Sequence, residues 1–142
     1  MKTKGFTIIE LMIVVVTIGV LASIAFPNFV RMQANAKEAG VKSNSHAVQV
    51  AAEDFSVQND GVYAANLAAV IPTGENIIDM LPQDQRLINP FTRARTEPID
   101  GPATVAGETG YEPVVDALGQ NVGYVITGQG KIGQIVRFSN GM

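Results

Sequence analysis

The chain has 142 residues, with 13 acidic and 10 basic side chains and a formal charge of −3, which leaves room for one small domain beside an apolar segment. The mild acidity gives no argument for a nucleic-acid partner, so none is predicted, and leaves no polybasic membrane-surface patch. With no cysteine there is neither a disulfide nor a thiolate metal site, and that absence does not fix a compartment.

In chain order, a short polar start, Met1-Lys2-Thr3-Lys4-Gly5, leads into an apolar run whose sole charge between Phe6 and Val30 is Glu10. A carboxylate in a membrane segment costs up to about 3 kcal/mol at the bilayer centre and less near an end. Three readings compete for this region. As a cleaved secretory signal, Lys2 and Lys4 are the basic start and Val20-Leu21-Ala22 the cut site, but such signals do not normally carry a carboxylate. As a single-pass anchor, the run is about long enough to cross ~30 Å at ~1.5 Å per residue, and Glu10 goes unexplained.

The third reading accounts for the odd residues. Gly5-Phe6-Thr7-Ile8-Ile9-Glu10, the apolar run behind it, and Pro27 resemble the amino-terminal signature of type IV pilins and of the related pseudopilins of type II secretion. Ile8 stands where that pattern has Leu. The resemblance is close over residues 1–30 and holds by pattern only beyond them. It implies that a prepilin peptidase cuts between Gly5 and Phe6 and methylates the new Phe6 amine, and that the apolar helix is kept. Without that resemblance, Gly5 reads as a flexible membrane-entry residue.

Cutting there frees an amine with a reference pKa of about 8. On a helix the Phe6 and Glu10 positions share one face. Glu10 of one chain can then meet the Phe6 amine of the next, which relieves the burial cost and fixes axial register. Glu10 and Phe6 are the expected assembly residues, a role the resemblance also implies. The alternative is a carboxylate snorkelled to the interface. Pro27 cannot donate to the carbonyl of Ser23, and Gly19 weakens its turn by about 1 kcal/mol relative to Ala. The stretch from Gly19 to Pro27 is therefore expected to kink, or to loosen and extend as the resemblance implies; an ordinary kinked membrane helix is the alternative.

Beyond the membrane run, residues 28–58 continue as helix, with Val41, Val48, Ala51, Ala52 and Phe55 as an apolar stripe and a stop at Asn59-Asp60-Gly61. His46, the one histidine, is expected at the surface or in packing. Residues 61–110 read as a long connection, with short helical turns at 66–71 and 75–81. Arg86, Arg93 and Arg95 there are candidates to bind a partner's acids, with solvated or intradomain pairs as the alternative. Strands are expected at 111–117, weakened by Pro113, and at 122–127 and 134–139. Gly128-Gln129-Gly130-Lys131 joins the last two strands and precedes no helix, so it is not a phosphate loop. The expected fold class is α+β: a long amino-terminal helix on a small antiparallel sheet of about three strands. The expected organisation is a leader at 1–5, a transmembrane assembly helix at 6–30 and a head domain at 31–142.

Related pseudopilins often hold calcium near the position of Glu97, Asp100, Glu108, Glu112 and Asp116, but the dense run of aspartates that would support it is missing, and no metal or cofactor is expected. No nucleophile, base or carboxylate pair forms a catalytic arrangement, so the reading is a filament subunit and not an enzyme. The implied partners are prepilin peptidase, copies of the chain and related pilins, an inner-membrane assembly platform, and the bilayer before assembly. The implied route runs from the bacterial inner membrane, amino terminus cytoplasmic and residues from about Arg31 outward, to an extracellular pilus or a periplasmic pseudopilus. The missing cysteine pair departs from many type IV pilins and tilts toward pseudopilins or disulfide-free pilins; the weak calcium region tilts back. A membrane-anchored binding protein that does not assemble is the remaining alternative.

Overall fold

A computed structural model describes residues 5–82 and 87–140. Residues 1–4, expected to belong to a leader, and Arg86 lie outside the described residues.

One helix, α1, runs without interruption over Ile8–Gln58, with Pro27 inside it. Its start is set by Thr7, whose carbonyl accepts the first helical bond from Leu11 N (3.3 Å). Its end is a Schellman turn. Asp60 takes the left-handed conformation (φ 54°), and Gly61 N reaches back to Ser56 O (2.9 Å).

The chain divides into two compact units, Met1–Ala36 and Lys37–Met142. In the first, every described side chain from Gly5 to Ala36 is exposed, so this stretch of α1 has no core of its own.

The second unit has its own core. Here α1 buries Val41, Val48, Ala51, Ala52 and Phe55, the stripe read from the sequence, together with Ser45 and Ser56. The sheet has four strands in the order β1-β2-β3-β4: β1 (Ile99–Asp100), β2 (Thr109–Val115), β3 (Asn121–Gln129) and β4 (Gln134–Ser139). The β2–β3 and β3–β4 pairs are antiparallel, and the two-residue β1 pairs parallel with β2. The class is α+β, with one strand more than expected. A two-residue strand leaves no alternation in the sequence, so β1 was hidden within the long connection.

Three details differ from the sequence reading. Residues 66–71 and 75–81 form turns and not helices, held by bonds such as Ala69 N to Asn66 O (3.2 Å) and Gly74 N to Ile71 O (2.8 Å). β2 runs through Pro113 because β1 reaches only to Tyr111, so beyond that point β2 is an edge and no ladder donor is missed. β3 takes in Gly128 and Gln129, moving the turn to Gly130-Lys131-Ile132-Gly133. A side chain at Gly128 would meet Ser45 Oγ at 2.6 Å, so only glycine lets the strand lie that close to the helix.

Residues 61–110 are not a loose connection. They supply Ala64, Leu67, Ile71, Ile77, Leu81 and Leu87 to the core beside Phe55, Tyr111 and Tyr124. Asp100 accepts from Leu67 N (2.8 Å), which ties the start of this segment to β1.

Candidate assembly site at the helix start

Thr7 and Glu10 form a capping box. Thr7 N and Thr7 Oγ1 both donate to Glu10 Oε2 (2.9 and 2.7 Å), and Glu10 N donates to Thr7 Oγ1 (3.3 Å). The carboxylate therefore satisfies donors of its own helix start, through one oxygen. Acidic charge in the first turn also complements the positive end of the helix dipole. The Thr-x-x-Glu spacing that signals the box is legible in the sequence, beside the charge of Glu10.

Phe6 precedes the helix and is 82% exposed. Lying outside α1, Phe6 shares no helical face with Glu10, and its nitrogen is a peptide amide. Neither Gly5 nor Gly19 has an atom near enough to touch an added Cβ, and α1 passes through both Gly19 and Pro27 as helix.

Along the apolar stretch, an eighteen-residue window of α1 has mean hydropathy 2.6 with none of it buried, enough by length and composition to cross a membrane. Its polar side chains are satisfied within the helix. Thr17 Oγ1 donates to Ile13 O and Val14 O (3.0 and 2.8 Å), and Ser23 Oγ to Val20 O (2.7 Å). Hydroxyls bonded this way tolerate hydrocarbon.

The other sequence candidates lie in the second unit and do not converge. His46 is exposed, bonded to Gln49 (3.2 Å) and edge-on to Phe138. Arg93 sits at φ 60° in a small hairpin closed by the Ile88–Arg95 bridge. Arg95 borders a half-open hollow of about 890 Å³ with Glu75, Asp79 and Glu97. Of the acids weighed for calcium, Asp100, Glu108 and Asp116 already hold backbone N–H groups, of Leu67, of Val105, and of Leu118 and Gln120.

A polar cluster unforeseen in the sequence anchors α1. Glu53 accepts from Tyr63 Oη (2.9 Å) on one oxygen and from Tyr124 Oη (2.7 Å) on the other. Tyr111 Oη donates to Ala64 O (2.8 Å). Burial raises the hydroxyl pKa of Tyr111 and of Tyr124, and for Tyr124 the bond to Glu53 raises it further.

The chain is 48% identical over 59 residues to the type IV major pilin protein PilA of Myxococcus xanthus, a match covering 42% of this chain and 27% of that protein. It is 40% identical over 74 residues to the type IV narrow pilus major component PilA5 of Thermus thermophilus, covering 52% of this chain and 64% of that protein. A fimbrial protein of Pseudomonas aeruginosa is 30% identical over 128 residues, 88% of this chain and 74% of that one. The chain belongs to the type IV pilin family. No family model matches it, and no solved structure does. For this pilin the matched lengths fall short of two thirds of the Myxococcus and Thermus proteins. The long apolar helix and the α+β unit behind it fit the family.

Proposed function

We propose that this chain is the structural subunit of a type IV pilus-like filament, made as a membrane precursor with a cytoplasmic amino terminus. Prepilin peptidase cuts it between Gly5 and Phe6 and methylates the Phe6 amine, and an inner-membrane assembly platform polymerises it through α1. One observation carries the reading: the eighteen-residue window of α1 is wholly uncovered at a mean hydropathy of 2.6. Such a surface needs lipid, then other helices, to cover it. In the polymer, Glu10 keeps its Thr7 bonds on Oε2 and receives the Phe6 ammonium of a neighbouring copy on Oε1. Loosening between Gly19 and Pro27 lets the subunit lengthen in the fibre. The relatives being pilus components supports this reading over a secretion pseudopilus.

Mass spectrometry of the mature protein is expected to find methylated Phe6 as its first residue. A mature chain that begins at Met1, or past Val20, sinks the proposal. Electron microscopy of sheared surface material is expected to show long fibres, and Glu10→Ala is expected to abolish them while precursor persists in the membrane. Only short or periplasmic fibres would favour the pseudopilus.

A further inference from the structure

The Lys37–Met142 unit has two chemically different ends. Tyr63 N donates to Asn121 O (3.0 Å), so the β2–β3 turn lies at the end where α1 stops. A Cβ on Gly128 would touch Ser45 and Val41, so the β3–β4 turn lies at the end where α1 enters. Each turn shows a large apolar side chain to solvent: Leu118 is 86% exposed at the stop end and Ile132 is 97% exposed at the entry end.

Charge divides the same way. At the entry end Lys131 flanks Ile132, and Arg93 lies in the hairpin whose Pro90 Cγ a Cβ on Gly40 would meet at 2.7 Å. Among the described residues, Glu38 there is half-buried and Glu108 is bonded to Val105 N (3.0 Å), while Glu75, Asp79 and Glu97 line the hollow that Arg95 borders at the base of that hairpin. At the stop end Asp54 and Asp60 are exposed, while Glu53 is held by two tyrosines and Asp116 by its own turn. Among the described residues, Asp54, Asp60, Arg93 and Lys131 make no ion pair within the chain.

The two turns are separated by the nine residues of β3, roughly 30 Å at ~3.3 Å per residue, so they cannot meet in one molecule. Two unlike surfaces that complement each other form a heterologous contact, which repeats into an open helical array unless the rotation closes it. We infer that a second copy of this chain docks end to end on this unit. The Lys131-Ile132 turn of one copy seats on the Leu118 turn of the next, and Asp54 and Asp60 face Lys131 and Arg93. The inference rests on the filament reading and deepens it by naming the contact between neighbouring heads.

The natural chain has no cysteine, which makes a thiol test clean. Filaments of the full-length Leu118→Cys/Ile132→Cys double variant, treated with a short bismaleimide, are expected to give a ladder of dimers, trimers and longer species. Either single variant is expected to stay monomeric. Filaments that yield only monomer from the double variant, or dimers from a single one, overturn the inference. In parallel, Lys131→Glu is expected to cut filament yield roughly tenfold at equal precursor level, and adding Asp60→Lys to restore it. Unchanged yield in Lys131→Glu, or no recovery in the pair, also overturns it. The two levels separate cleanly: double-variant filaments without the ladder refute the docking alone, and no filaments from the wild-type chain refute the filament reading and the docking together.

Discussion

The proposed assembly gives Glu10 two jobs, one for each oxygen. Oε2 holds Thr7, so removing the side chain disturbs the helix start as well as any contact between chains. Glutamine can keep the box and lose the charge. Glu10→Gln is therefore expected to leave membrane insertion intact, seen by carbonate extraction, and to abolish fibres as fully as Glu10→Ala. Fibres from Glu10→Gln would mean that the cap, and not the charge, is what assembly needs. Thr7→Val is expected to weaken the first turn by about 1 kcal/mol, measured by faster amide exchange at Ile9 and Glu10 in micelles. A second residue-scale constraint lies at Gly107, where φ is 90° and an added Cβ would overlap the Asn89 amide. That amide also accepts from Phe91 N (2.8 Å) and donates to Ala106 O (2.9 Å). Gly107→Ala is expected to lower unfolding free energy by about 2–4 kcal/mol in denaturant titrations.

At the scale of elements, what the sequence disclosed follows its periodicity. The stripe of α1 was legible because apolar residues recur on one face, and all five named positions are buried. Ser45 and Ser56 on the same face were not, because their polarity hides their burial; Ser45 Oγ meets Thr109 Oγ1 at 3.4 Å. β3 and β4 were readable from β-branched residues. The segment at 61–110 was not, because its core residues are fixed by side-chain bonds from Asn66, Asn76, Asn89 and Asp100 and not by a repeat. The Glu53 clamp likewise joins residues distant in sequence, and nothing local marks it. Glu53→Ala leaves the fully buried Tyr124 without its acceptor. It is expected to cost about 2–3 kcal/mol, read from tyrosine fluorescence during urea unfolding in detergent.

For the molecule as a whole, the tyrosine cluster sets an upper pH limit. The folded-state pKa values of Tyr63, Tyr111 and Tyr124 are raised above the ordinary value of 10. The unfolded chain therefore loses these protons first. Stability is fully present below pH ~10 and falls as pH rises from there through the raised values. Tyrosinate absorbance and loss of near-ultraviolet dichroism are expected to rise together above pH ~10. The loosening proposed for α1 has a place to begin. Pro27 offers no amide to the carbonyl of Ser23, so the turn between them lacks a rung that every neighbouring turn has. If the proposed lengthening of the subunit starts at that turn, Pro27→Ala is expected to raise the force at which single fibres extend in an optical trap, and an unchanged force would remove Pro27 from the account.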